Sequence, residues 1–181
     1  TTGSNNTSVG HDSLKANTTG TRNTAVGMNS ALKTTTASDN TAIGYAALQE
    51  NTTGANNVAV GHDALLLNTT ASNNTAVGFG SLESNTTGTG NVAIGKEALS
   101  ANTTADFNVA IGLAALDANT TGTQNTAIGL SCLGSNTTGS FNNALGVGAL
   151  SNNTSAAGNT AVGHNALTAN TTGTDNTAYG N

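Results

Sequence analysis

The sequence predicts an all-β protein: a parallel β-solenoid (β-roll) with one coil per 17-residue repeat, about 10.6 coils in 181 residues. Three observations carry this. An Asn recurs every seventeenth residue from Asn6 to Asn176, opening eleven copies of one pattern, the last cut short. Four residues after each of these Asn stands a Gly, without exception. Asn, Thr and Gly supply 85 of the 181 residues, whereas Leu, Ile, Val and Phe supply 31. That is too little for a conventional globular core, and a net charge of −5 is too small for the usual disordered chain. Such a composition fits a stack in which each unit buries a little and the array buries the rest. No enzyme built on a globular core is expected from it.

Counting each coil from its Asn as position 1, the unit reads N-[T/V]-A-[V/I]-G-x-x-[A/S]-L-x-x-N-T-T-[G/A]-x-x. Positions 2 to 4 read as a short β-strand, with side chains alternating between two faces. The Val/Ile column, with the Thr/Val column two residues before it, is expected to point into the coil. The Ala column then points outwards, and its uniform smallness suggests that something packs closely on it. Ala25, Ala42, Ala59, Ala76, Ala93, Ala110, Ala127, Ala144 and Ala161 are therefore the candidate oligomer-contact face. Gly at position 5 makes a corner, where positive φ or close backbone approach excludes a side chain.

Positions 8 and 9 form a second apolar pair, as in Ala64-Leu65, Ala98-Leu99 and Ala115-Leu116. Cys132 fills the small slot of this pair and reads as a buried core residue rather than a reactive thiol. The second copy, MNSALKTT, moves Leu32 one place later and puts Thr34 where Asn is expected, which reads as a local bulge or slip. A helix between Gly and Asn is rejected, because the segment is short and offers no 3.6-residue stripe. Parallel stacking instead piles equivalent residues about 4.8 Å apart into a rod on the order of 50 Å long.

Position 12 opens Asn-Thr-Thr or Asn-Thr-Ser at Asn17, Asn51, Asn68, Asn85, Asn102, Asn119, Asn136, Asn153 and Asn170. Asn5, Asn6 and Asn73 also satisfy N-x-[S/T]. Each is a candidate N-glycosylation site in a glycosylating pathway. The favoured reading is that Asn and Thr serve as turn and ladder residues, since a buried amide can both donate to and accept from the neighbouring coil. Positions 14 and 16 place Thr19, Thr21, Thr87, Thr89, Thr121, Thr123, Thr172 and Thr174 as alternate outward residues. On stacked coils they would make a flat array of hydroxyl and methyl groups, an alternative ice-binding (antifreeze) face, though the position-16 row is interrupted in most copies.

Other chemistries find little support. Four basic residues cannot make the positive stripe that a phosphate backbone needs, so no nucleic-acid partner is expected. No apolar run approaches a membrane span of about 20 residues. One Cys leaves no disulfide framework. His11, His62 and His164 share position 6 but stand about 14 and 29 Å apart on stacked coils, too far to share a metal. Scattered carboxylates set up no acid–base pair, so no catalytic, metal or cofactor residues are assigned. Position 6 also carries Met28, Tyr45, Phe79, Leu113, Leu130 and Val147, apolar enough to suggest a chain–chain contact. The chain begins TTGSNN and stops within a repeat, so residues 1–181 read as a single repeat array, a fragment of a longer fibre protein.

The NVAIG segments at Asn91–Gly95 and Asn108–Gly112, with the many NTAVGxxAL copies, resemble the head repeats of YadA-like trimeric autotransporter adhesins. They are also similar to the NTAVG-rich shafts of phage tail fibres. The resemblance covers the whole chain. It implies a left-handed parallel β-roll with three chains side by side, displayed on a cell or virion surface for adhesion to a host-surface or glycan receptor. The expected partners are copies of the chain itself, as a homotrimer or an end-to-end filament.

Overall fold

The computed structural model describes residues 2–181. Eleven three-residue strands, β1 (Thr7–Val9), β2 (Thr24–Val26) and so on to β11 (Thr177–Tyr179), form one parallel sheet in chain order. Equivalent positions pair directly, Thr24 with Thr41, Ala25 with Ala42 and Val26 with Ile43, so the coil closes in 17 residues. The ladder continues outside the strands. Leu48 N–H donates to Ala64 O at 2.9 Å, Thr52 N–H to Thr69 O at 2.8 Å and Asp63 N–H to Tyr45 O at 3.0 Å. Only three residues of each coil are strand, yet bonds to the next coil run all the way round.

The strand faces the opposite way from the one its apolar pattern suggests. Ala25, Ala42, Ala59, Ala76, Ala93, Ala110, Ala127, Ala144 and Ala161 are all 0% exposed within the single chain, so they cannot be a contact face for a partner. The Val/Ile and Thr/Val columns point outwards, with Ile43 and Ile94 each 39% exposed. Asn at position 1 explains the reversal. It is buried, and its amide donates across the interior to the carbonyl of position 15, as Asn57 Nδ2 does to Ala71 O at 2.9 Å. Side chains alternate along a strand, so an inward position 1 turns position 3 inward and positions 2 and 4 out. The narrow interior also leaves room for a methyl rather than a branched side chain.

Two adjacent residues, at positions 8 and 9, both point inward, which a strand cannot arrange. The backbone manages it by putting the Leu in the left-handed region, with φ of 56° at Leu48, 52° at Leu65 and 54° at Leu99. A non-Gly residue held there costs about 1–3 kcal/mol, offset by about 1.5–3 kcal/mol from burying a Leu. Positions 7 and 17 are left-handed too, and there Asn, Asp and Gly are frequent, although Phe107 (58°) and Phe141 (61°) share the conformation. Gly at position 5 is required. Gly44 has φ of +135°, and a Cβ there would lie 2.3 Å from the carbonyl oxygen of Gly61.

Buried Asn ladders line the interior at positions 1 and 12. Asn68 Nδ2 donates to Asn51 Oδ1 at 3.0 Å and to Ala71 O at 3.0 Å. Asn91 N–H donates to Asn74 Oδ1 at 2.9 Å. The carbonyl at position 15 thus receives an amide from each ladder, the local reason for Asn at both places.

The second copy contains no bulge or slip. Its strand pairs in register, and Ala31 takes the Leu position with φ of 48°, leaving Leu32 half-buried outside it. Thr34, buried at the Asn position, has no amide for Asn17. Asn17 Oδ1, Ser30 Oγ and Thr34 Oγ1 are the buried side-chain oxygens without a partner among the described residues.

Repairing this coil is expected to stabilise the array. Thr34→Asn restores a donor to Asn17 and should add about 1–3 kcal/mol, read as a higher Tm in thermal unfolding. Conversely, Leu99→Ala copies the missing Leu side chain of the second coil into a regular coil and should cost about 2–5 kcal/mol.

Candidate functional site

The described residues form no pocket, so any site lies on an outer face of the rod. One face is apolar. Columns 2 and 4, the outer surface of the sheet, contain no charged residue. Around the Gly corner, column 6 exposes Met28, Tyr45, Phe79, Leu113, Leu130 and Val147, and on the other flank position 17 exposes Phe107 and Phe141. Among the described residues, every exposed large apolar side chain except Leu67 lies in these four neighbouring columns.

Column 6 carries a stack of rings. The Tyr45 and His62 ring centroids are 4.8 Å apart, and those of His62 and Phe79 are 5.2 Å apart, with interplanar angles of 24° and 23°. Lys96 Nζ lies 5.9 Å from the Phe79 centroid, and His62 Nδ1 lies 2.9 Å from the Asp63 carboxylate. The ring faces are turned to one another, so the stack uses its own stacking surface. His11 and His164 stand in other coils, beside Asp12 and Asn181. No three His, Cys, Asp or Glu side chains converge as metal ligands among the described residues.

Charged groups pair within a coil, as Lys15 with Asp12 and Lys96 with Glu97, or across adjacent coils, as Arg22 with Asp39 and Lys33 with Glu50. Arg22 donates to Asp39 at 2.6 and 2.7 Å, which holds the Asp39 carboxyl below its usual range. Lys33, then Gln49, do the same for Glu50. Burial pushes Asp117 up. Exposed pairs of this kind contribute little to stability.

The position-12 sequons are not available in the folded chain, whereas Asn5 and Asn73 are exposed. Asn51, Asn68, Asn85, Asn102, Asn119, Asn136 and Asn153 are 0% exposed, and Asn17 and Asn170 are partly buried at the ends of the same ladder. Their amides donate to a neighbouring Asn, a position-15 carbonyl or both, as in Asn85 to Asn68 Oδ1 and Gly88 O, each 2.9 Å. A glycan on that nitrogen would have no room. The turn-and-ladder reading of these Asn is the one the structure matches.

The two expected Thr rows separate. At position 16, Thr21 Oγ1 lies 3.2 Å from Ser38 Oγ, and Thr89 Oγ1 donates to Asp106. Thr123 is half-buried and Thr174 exposed. At position 14, Thr19, Thr87, Thr121 and Thr172 belong to a longer exposed row running through every coil from Thr19 to Thr172. Thr at position 13 is different again, its hydroxyl donating to the next coil, as in Thr52 to Thr69 O at 3.0 Å.

Cys132 is fully buried, with Sγ 3.2 Å from Ala144 O, and burial pushes its thiol up to about 12. Comparison with family models, curated proteins and solved structures finds no match.

Two outcomes follow from these environments. The folded chain, secreted through an N-glycosylating pathway, should carry no glycan at position 12, so peptide-N-glycosidase treatment should leave the mass contributed by those Asn unchanged. Cys132 should resist thiol reagents at neutral pH until the array opens. Its labelling rate, followed by absorbance of the released chromophore, should rise with denaturant in step with unfolding.

Proposed function

We propose that the chain is a non-enzymatic structural segment of an extracellular or surface fibre, adhesin-like or tail-fibre-like, whose rods associate side by side. The observation that carries this is the exposed row of branched apolar side chains in column 4, beside the uncharged Thr/Val column 2 and continued around the Gly corner by the apolar side chains of column 6. Monomeric proteins rarely leave so large an apolar strip open to water. A rod face about 50 Å long and three to four residue columns wide presents roughly 600 Å² per chain, or about 1,200 Å² for a pair, the lower bound of stable interfaces.

A second copy is the natural occupant. It carries the same one-coil period, so side chains can interlock from end to end. Two apolar strips meeting at a corner suit three chains, each offering one strip to either neighbour, consistent with the resemblance to trimeric adhesin heads. The stack of coils supplies stiffness without any bound group, and the absence of a pocket leaves surface contact as its means of action.

Native mass by light scattering tests this reading. Three times the chain mass is expected, and twice the mass would mean pairing through one strip. Val60→Lys with Ile94→Lys places charges on the outer face without touching the core. That variant should become monomeric with an unchanged circular dichroism spectrum. A parent chain that is monomeric at high concentration overturns the proposal.

A further inference from the structure

Column 14 is the exposed column whose composition varies least. It holds Thr19, Thr36, Thr53, Thr70, Thr87, Thr104, Thr121, Thr138, Ser155 and Thr172, all exposed. The second coil sharpens the point, because it gives up the Leu of position 9 and the Asn of position 12 yet keeps Thr36. In this coil the surface Thr is kept where two interior residues are not.

Column 13 serves as an internal control. It too is Thr from coil to coil, and its hydroxyls bond the next coil's carbonyl, as in Thr86 to Thr103 O at 3.0 Å. That identity has a cause inside the fold. The hydroxyls of column 14 have no hydrogen-bond partner among the described residues, and they line no cavity. No hydrogen bond to their hydroxyls among the described residues accounts for their constancy.

The row's own properties narrow what does account for it. It repeats once per coil, about every 4.8 Å. Thr is stiff at χ1, so hydroxyl and methyl are presented in a restricted set of orientations, which a row of Ser would not do as well. The flanking columns 13 and 16 are short, holding Thr, Ser and Ala with Asp106 as the one charge. Such a strip offers a macromolecular ligand neither an aromatic anchor nor a charge cluster. It offers a periodic ligand a straight, rigid file of donors and acceptors. A lattice of ordered water has that character: it repeats in register, donates and accepts at each site, and is disrupted by charged groups that organise their own hydration.

We propose that column 14, with columns 13 and 16 beside it, is an ice-contacting face. The hydroxyls bond waters that belong to the ice lattice, and the methyls displace waters that do not. Each exposed contact is weak, but folding has already ordered the row, so the contacts act together over the whole rod. The strand face is a poorer lattice, because its columns mix Thr with Val and are broken by Asn143, Leu145 and Tyr179. Ice contact at column 14 is separate from side-by-side association at columns 2 and 4, and different substitutions should remove them.

The test measures thermal hysteresis and inhibition of ice recrystallisation by the purified chain. Three variants are compared with it: Thr70→Glu/Thr104→Glu on column 14, Ser135→Glu/Asn152→Glu on exposed column 11, and the association variant Val60→Lys/Ile94→Lys. The parent chain should show both activities. The column 14 variant should lose more than half of them while keeping its circular dichroism spectrum and native mass. The column 11 variant should match the parent, and the association variant should become monomeric while still inhibiting recrystallisation. A parent chain with neither activity overturns the proposal. So does equal loss in the column 14 and column 11 variants, or loss confined to the association variant, which would put the ice contact on the strand face.

Discussion

The molecule depends on a hydrogen bond that crosses the interior of each coil. The carbonyl at position 15 accepts one amide from the Asn of position 1 and another from the Asn of position 12, as Gly88 O does from Asn74 and Asn85, each at 2.9 Å. This fixes how far apart the two sides of the coil can stand. It also fixes what can lie between them, namely Ala methyls and one Leu. The same Asn side chains reach the equivalent Asn of the next coil, so the contact that closes a coil also sets its register on its neighbour. An unpaired buried amide is expensive. Departure from the 17-residue period would orphan several at once.

Repetition lets the chain use local conformations that a single globular domain would rarely assemble in such density. Three residues in each regular coil adopt left-handed backbone, including a buried Leu. Any one of these is unfavourable, and an isolated coil could not hold it. In the array each is bonded by coils on both sides, and the coupling between neighbours outweighs the cost within a unit. The second coil shows how much slack this leaves. It lacks the Leu side chain and one Asn amide, yet β2 keeps its partners on either side. Stability here is a property of the stack more than of any coil.

Much of this was legible in the residues themselves. The period, the Gly corner, the strand at positions 2 to 4, the Ala-Leu pair and the burial of Cys132 all follow from constancy down a column. What misled was polarity. Reading Val and Ile as inward and Ala as outward assumes that a strand buries its larger apolar face, whereas this strand buries the face that carries Asn. The clue was present, since Asn at position 1 never varies and strand parity ties it to the Ala two residues on. Asn at position 12 was ambiguous because one tripeptide describes both a sequon and a ladder, and only burial tells them apart. The left-handed Leu had no signal, for nothing in its residue type favours positive φ.

The inversion of the strand carries the functional argument further than the fold alone. A roll that buried its Val and Ile would be satisfied by itself, with a polar exterior. By using Ala, Asn and a single Leu inside, the coil closes its interior cheaply and leaves the branched residues over for the surface. Their arrangement in two uncharged columns along the whole rod is hard to account for by folding, since they add little to the buried core. The position-14 Thr present the same problem in polar form: unbonded hydroxyls, repeated while the exposed column 17 drifts. In a repeat protein each coil answers to the same internal demands, so an outer column that stays constant without an internal partner is most simply explained by a demand from outside. A periodic exterior meets a periodic partner best along its full length, and the two proposals take such partners, further rods for one face and ordered water for the other.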